Sequence, residues 1–278
     1  MMLISEKDHI YTPHQPHLEN QTNYTNYIID KKHKLYGKVH EIYQYDASYT
    51  GKEVIALPDG CSEIMFSFHP THIETYLVTS PLTLQQFNYQ DTHHVFSIRF
   101  ITGWHGYGVN ALSFERGHDV YEAHGLPMIN CLATIPNFEK LYSAVVSTSS
   151  FERRVDACIE FFEKLYKPGN LQEEIVRFSC TYLGEQFGRA TLKDLEQHLG
   201  YSSRYIRKIF EEYIGYSPKT LNEIIKFQYS FNSLVQSPNR SLSDIACDAG
   251  YYDLSHMNKS YLKIVNELPK NLYKKVYG

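Results

Sequence analysis

The carboxy-terminal part of the chain contains one pattern twice, at a spacing of about fifty residues. Each copy has an apolar helical segment, a Gly-Tyr turn, an amphipathic segment ending in Phe or Tyr, and a segment that begins at proline. The corresponding positions are Leu195, Gly200, Tyr201, Ile206, Phe210, Gly215 and Pro218, and then Ile245, Gly250, Tyr251, Met257, Tyr261, Asn266 and Pro269. Two short helices joined by a tight glycine-containing turn form a helix-turn-helix. The duplication therefore predicts an all-α region with two helix-turn-helix units over residues 190–278.

Local residue preferences set the expected boundaries of these helices. Side chains that cap helix N-termini precede four of them, namely Thr191, Ser202, Ser217 and Ser241. Gly200 follows the first helix at a position that favours left-handed backbone. A long helix begins at Pro218 and ends before Pro238, and we predict that it is a rigid spacer between the two units.

The second helix of each predicted unit has a polar face that suits DNA. This face carries Ser203, Arg204, Arg207 and Lys208 in the first unit, and Leu254, Ser255, Asn258, Lys259 and Lys263 in the second. Arginine can pair with guanine, asparagine with adenine and leucine with the thymine methyl group, while lysine can also contact phosphate. A single exposed cation is usually only solvated surface. Two such polar faces at corresponding positions of a repeat favour DNA binding instead, with the two helices in successive major grooves.

The formal net charge of −4 is unevenly distributed along the chain. Residues 190–278 contain 12 Lys and Arg against 9 Asp and Glu, which gives +3 and leaves −7 on the rest. Because +3 is weakly basic for a nucleic-acid binder, the prediction depends on where the cations lie. No run approaches the roughly twenty apolar residues of a membrane span, and residues 1–20 lack the apolar run of a signal peptide. We therefore expect a cytoplasmic protein without a membrane partner.

The first half of the sequence favours β-structure. Short apolar runs at 54–57, 64–68, 75–78 and 95–100 are separated by turn signals that include Asp59, Pro81 and Gly103. Residues 1–136 are therefore predicted to form a β-rich sandwich or barrel, of which a cupin-like barrel is one form. Helical periodicity at 138–145, 155–162 and 175–182, broken at Lys167, Pro168 and Gly169, predicts a helical connector over 137–189. The whole chain is thus expected to be an α+β protein.

Several residues of the first half could carry chemistry. Asp59, Glu63 and Arg99 either line a ligand pocket or support a turn at the start of a buried strand. His69 and His72 flank a proline turn, and since no His-x-His pattern occurs, we expect no metal site and no cofactor. The cysteines are odd in number, widely spaced and without a Cys-x-x-Cys pair, so we expect them to be reduced and mostly buried. They are Cys61, Cys131, Cys158, Cys180 and Cys247.

Residues 190–277 resemble the DNA-binding domain of the AraC/XylS family of bacterial transcription regulators. The residues that carry the resemblance are Phe227, Gln228, Ile245, Ala246, Gly250, Tyr251, Asp253, Leu254, Ser255, His256 and Pro269. It implies a sequence-specific regulator that binds double-stranded DNA through the two polar faces. The sequence departs from the family at Met257, where Phe is usual, at Lys226, where Arg is common, and at Asn266 and Leu268, where Gly and a capping Thr or Ser are typical. Asparagine tolerates the left-handed conformation that glycine would adopt.

A second resemblance covers residues 57–66 and 97–100, which are similar to the β-rich sensory domain that precedes some AraC-type domains. It implies modulation at the first half of the chain, and the candidate partners are a small-molecule effector, a second copy of the chain and RNA polymerase. The chain is not expected to be an enzyme. Two alternatives are open: a β-rich catalyst or DNA-repair protein fused to a DNA-targeting domain, which needs a reactive or zinc-bound cysteine such as Cys61, and a protein-interaction module whose helices do not touch DNA.

Overall fold

The computed structural model describes residues 11, 13–47, 54–87, 92–102, 120–123, 126–165 and 170–277. The turn expected at Gly103 and the break expected at Lys167, Pro168 and Gly169 lie outside the described residues. A region of antiparallel sheet is followed by helices, which confirms the predicted α+β class. Among the described helices, none has the length and apolar character that crossing a membrane requires.

The strands of the first half form one large sheet and one small sheet. The described strands are β1 (Thr22–Ile28), β2 (Val39–Asp46), β3 (Val54–Ala56), β4 (Ser62–Phe68), β5 (Ile73–Thr79), β6 (Gln85–Phe87), β7 (His94–Phe100), β8 (Val120–Ala123) and β9 (Leu126–Asn130). The large sheet has the order β1-β2-β7-β4-β5-β9-β8, β3 pairs with β6, and all pairs are antiparallel. The four runs predicted from the sequence correspond to β3, β4, β5 and β7.

Both faces of the large sheet are covered, because successive side chains of a strand point to opposite faces. One face packs against the helices α2 (Cys131–Thr134), α3 (Phe138–Val146) and α4 (Phe151–Leu165). Its core contains Ile42, Ile64, Phe66, Phe96 and Ile98 from the sheet, and Phe138, Leu141, Val145, Val155, Cys158 and Phe162 from the helices. On the other face, Tyr43, Tyr45 and Val95 pack with Leu18 of the short helix α1 (Pro16–Glu19).

The helices of the expected connector are divided between two cores. The helices α3 and α4 pack on the sheet. The helix α5 (Leu171–Glu185) begins with a capping box between Asn170 and Glu173, and its buried residues join the carboxy-terminal helices instead. These residues are Ile175, Val176, Cys180 and Leu183. Residues 137–189 therefore pack in part on the sheet and in part on the carboxy-terminal helices.

The carboxy-terminal region is helical throughout its described residues. Its helices are α6 (Leu192–Leu199), α7 (Ser203–Ile214), α8 (Pro218–Gln236), α9 (Leu242–Asp248), α10 (Leu254–Val265) and α11 (Pro269–Tyr277). The four predicted caps, Thr191, Ser202, Ser217 and Ser241, each accept a bond from a backbone N–H of the helix that follows. Gly200 has φ 72° and Asn266 has φ 52°, so both predicted left-handed positions are confirmed.

The predicted spacer helix α8 belongs to two hydrophobic cores. Leu221 and Ile225, in its first half, join the core of α5, α6 and α7. Phe227, Phe231 and Leu234, further along, join the core of α9, α10 and α11. A helix of 19 residues is about 28 Å long. The two helix-turn-helix units are therefore held at different ends of one rigid helix.

The first half of the chain packs directly on α8 and its neighbours. Ile55 and Leu57 are buried in the core of the second helix-turn-helix unit. Pro58 O accepts a hydrogen bond from Gln228 Nε2 of α8 at 2.9 Å, and Leu84 N donates to Ile264 O of α10 at 3.1 Å. The two halves are thus joined by buried apolar side chains and by hydrogen bonds.

Candidate nucleic-acid interface

The first helix-turn-helix consists of α6 and α7, joined at the left-handed Gly200. The Oγ of Ser202 accepts a hydrogen bond from Tyr205 N at 3.4 Å and caps α7. The carboxylate of Glu196, on α6, accepts from Ser203 N at the start of α7. Because the first turn of α7 is bonded to both its cap and α6, its orientation is fixed by local contacts.

The helix α7 separates apolar and cationic residues onto two faces. Ile206, Ile209, Phe210 and Ile214 are buried. Arg204, Arg207 and Lys208 are exposed, while Ser203 is half-buried. A shallow groove along the exposed face is lined by Ser202, Arg204, Tyr205, Arg207, Lys208 and Glu211. The structure thus brings the cations predicted for the first unit onto one accessible surface.

The second helix-turn-helix has the same construction with α9 and α10. Gly250 has φ 76°, and its carbonyl oxygen accepts a bond from Lys226 Nζ of α8 at 3.0 Å. Asp253 caps α10 by accepting from His256 N at 2.7 Å. Lys226, one of the departures from the AraC/XylS pattern, therefore holds the turn of this unit against the spacer helix.

The polar face of α10 is less uniform than that of α7. Ser255, Lys259 and Lys263 are exposed, and Lys263 Nζ lies 2.7 Å from a carboxylate oxygen of Glu223 on α8. Leu254 is half-buried and packs against the core of the second unit. Asn258 is half-buried as well, and its Oδ1 has no hydrogen-bond partner among the described residues. Because this oxygen is buried, the Asn258 side chain must turn outward before its amide group can pair with a base.

Met257, the departure from the family pattern within α10, lies in the interior where α10 packs on α8. Met257 is fully buried where the family usually has Phe. The hydroxyl of Tyr261 lies 2.9 Å from Ser230 Oγ of α8, and Phe227 of α8 packs edge-on against the Tyr261 ring. These contacts hold α10 on the second half of the spacer helix.

Two tyrosines of this surface were not predicted from the sequence. Tyr205 lines the groove beside Arg204 and Lys208. Tyr252 lies just before the cap of α10, and its side chain is 92% exposed. Tyr205 lies between Arg204 and Arg207 of the first predicted face, and Tyr252 lies two residues before Leu254, where the second predicted face begins. Both tyrosines are candidates for contacts to the DNA backbone.

The candidate ligand residues Asp59, Glu63 and Arg99 do come together, but as a buried ion-pair cluster. The Arg99 guanidinium lies 2.8 Å from Asp59, 2.9 Å from Glu63 and 3.3 Å from Glu41, the last of which sequence reasoning missed. Burial opposes the charge on Arg99, yet the Glu63 and Asp59 carboxylates raise its pKa well above the ordinary value. The charged groups of the cluster face one another.

The turn before β4 connects this cluster to the carboxy-terminal helices. Asp59 Oδ1 accepts from Cys61 N at 2.8 Å, and Asp59 Oδ2 accepts from Gln15 Nε2 at 2.8 Å. Gly60 has φ 80°, and a Cβ there would meet Leu221 of α8 at 2.9 Å. The predicted turn therefore lies at the junction of the two halves.

The cysteines have the state expected from the sequence. All five are free, four are buried and Cys247 is exposed. Burial raises the pKa of Cys61 well above its ordinary value, and its Sγ lies 4.0 Å from Thr102 Oγ1. Burial of this kind makes a thiol less reactive.

Comparison with known proteins identifies the carboxy-terminal region. The helix-turn-helix domain family, of the AraC type, matches residues 195–275. These residues include both turns, both cationic helices and the spacer helix. No curated protein matches the chain.

Several solved structures resemble the chain weakly over most of its length. ToxT from Vibrio cholerae O395 is 18% identical, with 93% of this chain and 98% of that chain covered and a TM-score of 0.40. ToxT from V. cholerae strain SCE256, bound to an unsaturated fatty acid, is 15% identical, with 83% and 92% covered and a TM-score of 0.39.

Proposed function

Given that residues 195–275 form an AraC-type helix-turn-helix domain of a DNA-binding regulator, we propose that its two recognition helices read the two ends of one DNA site. The residues proposed to face the DNA are Ser203, Arg204, Arg207 and Lys208 on α7, and Leu254, Ser255, Asn258, Lys259 and Lys263 on α10. Tyr205 and Tyr252 are added to this set. The observation that carries the proposal is the repeated arrangement of two capped, polar helices on one spacer helix.

The length of the spacer helix supports binding to B-form DNA. The spacer helix is about 28 Å long, and successive major grooves on one side of DNA are about 34 Å apart. Each recognition helix is fixed to its own half of α8. The two helices are therefore proposed to enter successive grooves on the same face of the duplex.

The individual contacts follow from side-chain chemistry. Arg204 and Arg207 are proposed to contact guanine or phosphate. Asn258 is proposed to pair with adenine through its amide group, once the side chain has turned its buried oxygen outward. Lys263 is proposed to contact phosphate, for which it must leave Glu223 or share its charge between the two.

The first half is proposed to modulate DNA binding through its contact with α8. Gln228 donates to Pro58 O and accepts from His14 N, in each case at 2.9 Å. A ligand or partner that shifts the turn at Pro58 would therefore act on the helix that carries both recognition units. Pro58 lies next to Asp59 of the Arg99 cluster, so that cluster is proposed as the sensing end of the coupling.

We propose a regulator without catalytic activity, in which the buried Cys61, whose pKa is raised by burial, is not a nucleophile. We propose that this regulator acts in the bacterial cytoplasm, which the match to a helix-turn-helix domain supports. RNA polymerase and a second copy of the chain complete the proposed partners.

Footprinting on the DNA upstream of the protein's own gene tests the proposal. We expect protection of about two helical turns per chain, on one DNA face, and twice that length if two copies bind side by side. As the protein concentration is lowered, the double variant Arg204→Ala/Arg207→Ala should lose protection at one end of the DNA site before the other end. Arg153→Ala/Lys164→Ala, which removes two exposed cations from α4, is the matched control and should footprint normally. Equal loss of protection in both double variants would exclude the proposal. So would the absence of a site that stays protected when unrelated DNA is added as a competitor.

A further inference from the structure

The tip of the β4–β5 hairpin holds a group of side chains that the proposed function does not use. His69 follows β4, His72 precedes β5, and Glu74 lies on β5 opposite Ser67. The Nε2 atom of His69 lies 3.2 Å from one carboxylate oxygen of Glu74, and the Nε2 atom of His72 lies 3.4 Å from the other. The two imidazole rings are stacked, with centroids 4.5 Å apart and planes within 4°.

The potential ligand atoms of these three residues lie close together. One potential ligand atom of each residue lies within 4.8 Å of the others. Two imidazole nitrogens and a carboxylate oxygen are a ligand set that Zn²⁺ accepts, with Zn–N and Zn–O distances of about 2.0–2.2 Å. Ligand atoms around a tetrahedral ion stand about 3.3 Å apart. The side chains must therefore move closer together, and the two stacked rings must tilt so that both Nε2 lone pairs point at one ion.

The backbone holds the two histidines at the same end of the hairpin. His69 N donates to His72 O at 2.9 Å, which closes the turn through Pro70 and Thr71. Strands β4 and β5 pair in register from Ser62 and Thr79 up to Phe68 and Ile73. The ligands are therefore placed by a hairpin that is anchored in the central part of the sheet.

The surroundings of His72 can accommodate the tautomer that a metal needs. Its Nδ1 lies 3.2 Å from Thr71 Oγ1. When Nδ1–H donates to that hydroxyl, Nε2 carries the lone pair, and an ion between Nε2 and Glu74 would bind both. Metal-binding histidines commonly have their second ring nitrogen engaged in this way.

The exposure of the three side chains suits an ion with one open position. His69 is 14% exposed, Glu74 is 39% exposed and His72 is 56% exposed. One side of the group is thus supported by protein and the other side is open to water, which can supply the fourth ligand.

We propose that His69, His72 and Glu74 bind one Zn²⁺ ion at the tip of the β4–β5 hairpin. The sequence predicted no metal site here because His-x-His is absent. The spacing His-x-x-His-x-Glu becomes a ligand set only when a four-residue turn brings the two histidines close to Glu74 on the next strand.

Zinc titration of the full-length chain tests this proposal. After treatment with a chelator, the protein is titrated with Zn²⁺ by calorimetry, and a parallel sample is titrated with Co²⁺ to record its visible absorption. We expect one ion per chain and the visible bands of four-coordinate Co²⁺ without the near-ultraviolet band of thiolate ligation. His72→Ala and Glu74→Gln should each weaken zinc binding by at least about tenfold.

Two variants control for other ligands on the surface. Cys247→Ser removes the exposed thiol, and His198→Ala removes an exposed histidine of α6; both should bind zinc as the wild type does. The absence of a one-to-one complex, unchanged binding in His72→Ala or Glu74→Gln, or loss of binding in Cys247→Ser would each overturn the proposal. The titration contains no DNA, so its failure leaves the proposed regulator function standing.

Discussion

At the scale of single residues, strand register decides which buried charged side chains contact one another. Glu41 of β2 and Glu63 of β4 lie directly opposite Arg99 of β7. Asp59 and Glu63 could be associated with Arg99 from the sequence, as two candidates near one turn. Glu41 could not, because no turn signal marks it in the sequence and only the pairing of β2 with β7 brings it into contact with Arg99.

Arg99→Met tests whether the cluster stabilises the fold. The change leaves three carboxylates buried together, so we expect a loss of about 3–5 kcal/mol in the free energy of unfolding. Urea denaturation followed by circular dichroism measures it. Lys164→Met is the control, because Lys164 pairs with Glu160 in water and should cost at most about 1 kcal/mol. Similar small losses in both variants would contradict a structural role for the cluster.

The ring of His94 is hydrogen-bonded to two charged neighbours. Its Nδ1 lies 3.0 Å from Asp46 Oδ1, and Arg154 Nη1 lies 2.8 Å from its Nε2. The neutral ring can donate to the carboxylate and accept from the guanidinium. Burial lowers the pKa of His94, Asp46 opposes this, and the charge of Arg154 adds to it. The folded chain therefore takes up this proton less readily than the unfolded chain.

This shift predicts how stability depends on pH. Below an unfolded-state pKa near 6.5, protons bind preferentially to the unfolded chain, so the free energy of unfolding should fall as pH decreases from about 7.5 to 5.5. His94→Gln should make that fall shallower, while the half-buried His40, whose pKa is also lowered by desolvation, continues to contribute in both proteins. His93→Gln, at the exposed neighbouring position, is the control. Denaturation curves at each pH measure the free energy of unfolding. If His94→Gln leaves the slope of that free energy against pH unchanged, this account is contradicted.

At the scale of helices and strands, capping chemistry made the carboxy-terminal region predictable. The side chains that cap α6, α7, α8 and α9 were identified from the sequence because a cap depends only on residues close in the chain. The division of residues 137–189 between two cores was not predicted. An amphipathic pattern shows that a helix has an apolar face, but it does not show which neighbour covers that face.

The two proline-started helices differ in their caps and give a matched test. Ser217 precedes Pro218 and caps α8 by accepting from Thr220 N at 3.2 Å. Leu268 precedes Pro269 at the corresponding position and is 40% exposed. We expect Ser217→Leu to lower the free energy of unfolding by about 0.5–2 kcal/mol and Leu268→Ser to raise it by a similar amount. Thermal and urea unfolding of the two variants measure both, and a stability change of the same sign in both would refute the capping argument.

At the scale of the whole molecule, the first half and the DNA-binding domain share a core. Ile55 and Leu57 lie among the apolar residues of the second helix-turn-helix unit. The sequence did not predict this contact, since each half alone has a pattern that accounts for its own core. The contact is what makes modulation of DNA binding by the first half physically reasonable.

Gln228→Ala tests the junction between the halves. The side chain is 2% exposed, and its loss leaves Pro58 O and His14 N without their partner. We expect a loss of about 1–3 kcal/mol in the free energy of unfolding, with the preferred DNA sequence unchanged because Gln228 lies away from the recognition faces. Gln236→Ala, at the exposed end of the same helix, should cost less than about 0.5 kcal/mol. A change in preferred sequence would place Gln228 in the DNA interface instead.

The central claim, that two helices of one chain read two parts of one DNA site, is tested most directly by selecting preferred sites from random DNA. The wild type, Arg207→Ala and Asn258→Ala are compared. We expect each substitution to relax the preference at a different base pair, the two positions about one helical turn apart, with a loss of about 1–3 kcal/mol on the wild-type site. If both variants lose affinity equally for every sequence, or relax the same position, the account is contradicted.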